Sequence, residues 1–171
     1  MRARAKAQPT VFDQFHRSLV EVHDTLRASA GEISVVINDD TKDRATRSAV
    51  ASFTANLVNH HKSEDSFFFP AFRAAGRMRS SDIEFLARKD EEHVAIHRLC
   101  VELRDLNTRS SRDATAWRKM VASHVSELST LAPPHFAEEE ATLTADHVAT
   151  LLTASELTAV YRDMGVNWNR R

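Results

Sequence analysis

The chain has little of what a disulfide-linked, turn-rich or membrane-spanning protein needs. Its 171 residues include one cysteine, three glycines, four prolines and one tyrosine. One cysteine excludes an internal disulfide framework and fits a reducing compartment. So few glycines and prolines disfavour a β architecture and favour long helices. Because no apolar run approaches the roughly 18 residues that a spanning helix needs, we expect a cytoplasmic, helical protein.

The charges are nearly balanced, which excludes two classes of partner. Lys and Arg number 23 against 24 Asp and Glu, for a net charge of −1. We therefore expect neither nucleic acid nor a membrane surface as a partner. The basic start, with Arg2, Arg4 and Lys6, is too short and polar for a signal peptide. We predict a flexible tail over residues 1–9, one domain over 10–165 and a second tail over 166–171.

Apolar residues recur at steps of three and four, which is typical of amphipathic helices. They predict helices from about residue 10 to 38, from 42 to 74, from 81 to 108 and from 113 onwards. Capping boxes are expected at Ser81–Glu84 and Thr153–Glu156, and the second of them begins a short terminal helix. The sequence thus predicts an all-α four-helix bundle with a short C-terminal fifth helix.

Pro133 and Pro134 lie in the middle of the predicted fourth helix. Each proline removes a backbone donor and clashes with the preceding turn, at a cost of roughly 3 kcal/mol in a helix interior. A new helix beginning at Pro133 would avoid most of that cost, since proline is tolerated in a first turn. We therefore expect a kink or a break near Leu131.

Nine histidines are the unusual feature of the composition, and several follow a repeated pattern. His23 is followed by the pair His60 and Glu64. At nearly the same spacing, His97 is followed by the pair His135 and Glu139. Residues four apart lie one helical turn above each other, so each pair directs an imidazole and a carboxylate to one point. Inward histidine and glutamate side chains are how a four-helix bundle builds a metal centre.

The two copies of this pattern differ at one position. His93 stands one turn before His97, where the first copy has Leu19. Imidazole and carboxylate ligands suit iron or manganese, and zinc is a further choice. One metal then has three histidines and the other has two, which leaves an open position for a small molecule such as dioxygen. The predicted ligands are His93, His97 and His135 for one metal, His23 and His60 for the other, and Glu64 and Glu139 as bridges.

Other histidines compete for some of these roles. His16 lies almost on the same helical stripe as His23, but the matched spacing to His60 favours His23. His61 and Asp65 form another four-residue pair, rotated by about 100° from the first. We interpret His61 as a residue outside the ligand set, supporting the ligands or facing solvent.

Two further residues are assigned no part in the metal site. Cys100 follows His97 by three residues and is predicted to be a small buried packing residue. Tyr161, the single tyrosine, lies outside the histidine pattern, so no tyrosyl role is indicated.

The ordered histidines resemble the hemerythrin-like (HHE cation-binding) domains over about residues 10 to 165. The most specific segment is His60-His61-Lys-Ser-Glu64-Asp65-Ser-Phe-Phe-Phe-Pro70, which is similar to the family's His-x-x-x-Glu-Asp followed by an aromatic-Pro exit. The segments around His23 and Leu152–Glu156 look like the actinobacterial branch. The resemblance implies an up-down four-helix bundle around two non-haem iron ions with an oxo or hydroxo bridge, iron being favoured over manganese or zinc.

The resemblance also sets the expected function and one alternative ligand. Members of the family bind dioxygen, sense oxygen or iron, or react with nitric oxide or peroxide. We therefore expect oxygen binding or sensing at an open iron position. The alternatives are a redox enzyme that decomposes peroxide or acts as an oxidase, and an iron-handling or regulatory module. In some members the second carboxylate follows its histidine by five residues, which would select Glu140 in place of Glu139.

Overall fold

The computed structural model describes residues 9–39, 41–108 and 113–165, and within them it is helical without strands. The predicted tails lie outside this part of the chain, apart from Pro9. Among the described residues, none of the helices combines the length and the hydropathy that a membrane-spanning segment requires. The elements are α1 (Val11–Val36), α2 (Asp43–Ser63), a π-helical turn (Glu64–Phe68), α3 (Phe69–Ala74), α4 (Ser80–Thr108), α5 (Ala114–Thr142), α6 (Ala145–Leu151) and α7 (Ala154–Asp163).

The four long helices form a closed ring of neighbours. Helix α1 packs against α2 and α5, and α4 packs against the same two helices from the other side. Since helices that follow one another in the chain lie side by side and are joined by short connections, they alternate in direction. Helices α6 and α7 pack against α1, and α7 also contacts the π-helical turn. The prediction of an all-α bundle is confirmed, with two short C-terminal helices where one is predicted.

The helix ends follow the predicted positions closely, with one difference in capping. The capping box between Thr153 and Glu156 is present at the start of α7. The box predicted at Ser81–Glu84 is absent, because α4 begins one residue earlier. There the carboxylate of Asp82 accepts a hydrogen bond from the backbone N–H of Arg79 at 2.7 Å.

Helix α5 continues through Pro133 and Pro134, so the predicted break is wrong. Both prolines are exposed. The carbonyl groups that lose an amide partner therefore lie on the solvent side, where water can satisfy them. On the opposite side of the same turns, His135 and Phe136 are buried in the bundle. Packing of that buried face maintains the helix across the two prolines.

The interior consists of two apolar clusters with a polar layer between them. One cluster includes Phe53, Leu103 and Trp117, and the other includes Phe15 and Phe72. His23 on α1, His93 on α4 and Glu139 on α5 each fall between residues of the two clusters. The apolar cores thereby hold the polar side chains at one level of the bundle.

Candidate metal centre

Six of the seven predicted ligands come together in this polar layer. Their nitrogen and oxygen atoms form two groups, in each of which all ligand atoms lie within 4.8 Å of one another. Glu64 belongs to both groups, so the two are contiguous. The first group is His23, His60, Glu64 and Glu139, called here the two-histidine half. The second is His61, Glu64, His93 and His135, called here the three-histidine half.

The structure does not bring His97 to this cluster. The buried stripe of α4 runs through His93, Ile96 and Cys100, and His97 lies beside it on the exposed face. His61 occupies the position predicted for His97, and its ring is stacked on that of His93. The prediction for His97 is therefore corrected. The sequence contains one feature that could have indicated His61 as a ligand. Glu64 follows His61 by three residues, and a three-residue step places two side chains on one helix face, as a four-residue step does.

The π-helical turn explains how two adjacent histidines contribute to one site. The backbone N–H of Glu64 donates to the carbonyl groups of both His60 and His61. The N–H of Phe69 then donates to the carbonyl of Glu64, five residues back. Glu64 follows His60 by four residues and His61 by three, so its carboxylate lies between the two imidazoles. Turns of this kind occur frequently at functional sites.

In the two-histidine half, the ring nitrogens and carboxylate oxygens converge. His23 Nε2 lies 2.9 Å from His60 Nε2 and 3.3 Å from Glu139 Oε2. His60 Nε2 lies 3.5 Å from Glu64 Oε1. Helices α1, α2 and α5, together with the π-helical turn, thus direct four side chains to one point.

The three-histidine half uses the second oxygen of the same carboxylates. His93 Nε2 lies 3.5 Å from Glu64 Oε2 and 3.8 Å from Glu139 Oε1. His135 Nε2 lies 3.3 Å from Glu139 Oε1. Each of the two carboxylates therefore faces both halves, as a bridging ligand must.

Carboxylates outside the cluster orient two of the rings. His93 Nδ1 lies 2.7 Å from Asp65 Oδ1, and His135 Nδ1 lies 2.7 Å from Glu92 Oε2. A ring that donates its Nδ1–H in this way directs the lone pair of Nε2 to the centre. Such partners fix the tautomer and the orientation of metal-binding histidines.

Hydrogen bonds also distinguish the alternative ligands that the sequence leaves open, His23 or His16 and Glu139 or Glu140. Glu139 is fully buried in the cluster. Glu140 instead accepts from His23 Nδ1 at 2.9 Å and pairs with Arg27 at 2.8 Å. His16 is turned away from the cluster, with its Nδ1 at 3.2 Å from the carbonyl oxygen of Leu143. The geometry therefore favours His23 over His16 and Glu139 over Glu140.

The electrostatics of the cluster favour neutral imidazoles at His60, His61 and His135, whereas the carboxylates of Glu139 and Asp65 raise the pKa of His93 despite its burial. Burial lowers the pKa of His60 to about 3 and that of His61 well below its usual value. The neutral form is the one that binds metals. Burial, together with the neighbouring Glu139, raises the pKa of Glu64 well above its usual range. A bound cation would relieve this unfavourable burial of carboxylate charge.

The cluster fits metal ions because most of its inward atoms have no hydrogen-bond partner, the exception being the contact between His23 Nε2 and His60 Nε2. Each buried polar atom without a hydrogen bond costs about 1–3 kcal/mol. Such atoms concentrate here: His61 Nε2, His93 Nε2, His135 Nε2 and both carboxylate oxygens of Glu64 and of Glu139. Iron, manganese and zinc bind imidazole nitrogen and carboxylate oxygen, and these are the atoms that converge here without hydrogen-bond partners.

Two pockets of different character reach the cluster. The first, of about 680 Å³, extends to His60 and Glu64 and includes Leu19. Its buried lining is apolar apart from Glu64 and Tyr161, and its exposed lining is polar apart from Val22. Tyr161 packs edge-on against Phe68, with ring centroids 5.6 Å apart. No local pattern predicts that this tyrosine lies in the pocket wall, because α7 reaches the site only through tertiary packing.

The second pocket, of about 710 Å³, reaches His61 and His93 in the three-histidine half. Four of its ten lining residues are charged, namely Lys62, Asp65, Asp90 and Arg98, and the exposed His97 also lies in it. The first space is called here the apolar pocket and the second the polar groove. The two halves of the cluster thus face different environments.

Comparison with protein families matches residues 10–144 to the hemerythrin HHE cation-binding domain. The chain belongs to this family. No curated protein and no solved structure matches the chain. Family membership together with the histidine and glutamate cluster identifies a helical, metal-binding protein of the hemerythrin HHE type. Helices α6 and α7 lie beyond the matched residues and close the end of the bundle beside the apolar pocket.

Proposed function

We propose that this hemerythrin HHE protein holds two non-haem iron ions and binds dioxygen, or a related small molecule such as nitric oxide or peroxide. His61, His93 and His135 would hold one ion, His23 and His60 the other, and Glu64 and Glu139 would bridge them. Bound ferrous iron would supply electrons and an open coordination position. Five imidazoles and two carboxylates are a donor set that suits iron.

The apolar pocket is the observation that carries the proposal of small-molecule binding. It ends at His60 and Glu64, in the half that has one histidine fewer. Leu19 lies in the pocket wall and is buried. An apolar side chain therefore occupies the position at which the other copy of the histidine pattern has His93. Apolar gases such as dioxygen and nitric oxide favour such a lining over water. Entry from this side would bring them to the two-histidine half.

Two phenylalanines hold imidazoles in place and keep water away. The ring of Phe136 stacks on His23, with centroids 4.4 Å apart and planes inclined by 19°. The ring of Phe69 lies parallel to His93 at 5.6 Å. Since both phenylalanines are buried, these rings restrict the histidines to orientations that point inward.

A redox enzyme is the second candidate, and the polar groove favours it. The side chain of Asp65 is 47% exposed, yet its Oδ1 lies 2.7 Å from His93 Nδ1. Asp65 therefore places a carboxyl group that can exchange protons with solvent beside the three-histidine half. A protein that reduces dioxygen or peroxide needs a supply of protons, whereas a reversible carrier does not.

Reconstitution of the metal-free protein with ferrous iron under anaerobic conditions tests the proposal. We expect two irons per chain by metal analysis and a new absorption band on admission of dioxygen. A band that disappears under vacuum and returns with dioxygen supports binding or sensing. Irreversible oxidation, or consumption of peroxide with turnover, supports the enzyme. A protein that takes up no iron and shows no spectral change contradicts both.

A further inference from the structure

Lys89 has a fully buried side chain on α4, one helical turn before His93. Burial of an ammonium group is costly unless it is paired and hydrogen-bonded. Its Nζ lies 2.6 Å from Glu92 Oε2, 2.9 Å from Glu138 Oε2 and 3.3 Å from the carbonyl oxygen of His135. Three acceptors on two helices therefore fix the position of this charge.

The contact with Glu92 links Lys89 to the metal centre. The same oxygen, Glu92 Oε2, lies 2.7 Å from His135 Nδ1. The Glu92 side chain is itself 36% exposed, so a glutamate at this position without a partner could turn into solvent. Lys89 cannot follow it outward, since Glu138 and the carbonyl of His135 hold the ammonium group from α5.

Arg27 and Glu140 make a comparable contact at the other half. Glu140 accepts from His23 Nδ1, and Arg27 pairs with Glu140 at 2.8 Å. The guanidinium group of Arg27 is partly exposed, whereas Lys89 is sealed inside the bundle. In both halves a cation holds the carboxylate that orients a histidine.

We propose that Lys89 is a positioning residue of the metal centre. By holding Glu92, it keeps His135 in the tautomer with a proton on Nδ1 and directs the Nε2 lone pair to the three-histidine half. The inference rests on the proposed two-metal site. A purely structural ion pair between α4 and α5 would instead affect stability without changing His135.

Iron affinity of the Lys89→Met variant is the first test, measured with ferrous iron and a competing chelator. We expect one of the two irons to bind about 10- to 100-fold more weakly, and the other to be nearly unchanged. Arg88→Met is the matched control, because Arg88 pairs with Glu138 but does not contact Glu92. Its iron affinity should match that of the unmodified protein.

A double variant separates the positioning role from a stability effect. Glu92→Leu should weaken the same iron, and Lys89→Met combined with Glu92→Leu should weaken it no further than Glu92→Leu alone. Independent, additive losses would overturn the inference. Unchanged iron affinity in Lys89→Met would overturn it as well.

Nitrogen NMR of the histidines in the metal-free protein gives a readout without iron. His135 should show the Nδ1-protonated tautomer in the unmodified protein and in Arg88→Met, and a mixture of tautomers in Lys89→Met. If Lys89→Met does not fold, the iron affinity and the His135 tautomer are measured in Glu92→Leu instead. If neither differs from that of the unmodified protein, the inference is overturned. If the unmodified protein takes up no iron, the proposed function fails, while the NMR comparison still decides whether Lys89 orients His135.

Discussion

The rings of His61 and His93 lie stacked, with centroids 4.0 Å apart and planes inclined by 12°. This contact makes His61 the neighbour of His93, although His61 directly follows His60 in the chain. Adjacent residues on a helix point about 100° apart. His60 and His61 can therefore serve the two halves of the centre from the two sides of Glu64.

Replacement of His61 or of His97 by alanine distinguishes the observed site from the sequence prediction. We expect His61→Ala to lose one of two irons, or to bind it at least about tenfold more weakly, because an inward imidazole is removed. His97→Ala should retain both irons, since His97 is exposed. Metal analysis after anaerobic reconstitution measures both. Loss of iron in His97→Ala alone would contradict the arrangement described above.

Tryptophan substitutions test which pocket admits the small ligand. Leu19→Trp fills the apolar pocket and should slow the binding of dioxygen about tenfold, equivalent to roughly 1.4 kcal/mol in the barrier. Val94→Trp adds the same bulk to the polar groove, where Val94 is 72% exposed, and should leave the rate unchanged. Stopped-flow mixing of the reduced proteins with dioxygen gives both rates. The opposite order of effects would place the entrance at the polar groove.

Alanine at Pro133 or Pro134 tests the continuity of α5. Because both prolines are exposed inside a continuous helix, alanine restores an amide donor and removes the clash with the preceding turn. We expect each variant to raise the free energy of unfolding by about 1–2 kcal/mol, after allowance for the greater freedom of the unfolded chain. Urea unfolding measures this change. Lower stability in both variants would favour a helix that begins at Pro133.

The thiol of Cys100 should be unreactive in the native protein. Burial raises the pKa of Cys100 to about 12 and leaves only 2% of the residue exposed. The thiolate is the reactive form, so at pH 8 both its population and its access are low. We expect a disulfide reagent to label Cys100 only after denaturation. Labelling at the rate of a free thiol in the folded protein would show that this part of the core opens readily.

The helices and much of the candidate site are predictable from local patterns. The spacing of His60 and Glu64, and of His135 and Glu139, is a property of a single helix and needs no tertiary information. The four predicted segments correspond to α1, α2 with its continuation into α3, α4 and α5. Helical periodicity carries this information because a buried stripe repeats every three to four residues.

Two features depend on interactions that local patterns do not contain. The choice of His61 over His97 follows from the π-helical turn and from the face that α4 presents to the bundle. The passage of α5 through Pro133 and Pro134 follows from the burial of the opposite side of that helix. In each case the energy of packing between helices outweighs a local preference.

Residue types and spacings within single helices suffice to predict the family, the helical bundle and a donor set of five imidazoles and two carboxylates. Tertiary packing was needed to establish which five histidines converge, that Glu139 faces inward while Glu140 contacts His23 Nδ1, and that Lys89 lies buried beside Glu92. Those choices depend on how each helix is rotated about its axis. That rotation is fixed by two apolar cores from opposite ends of the bundle.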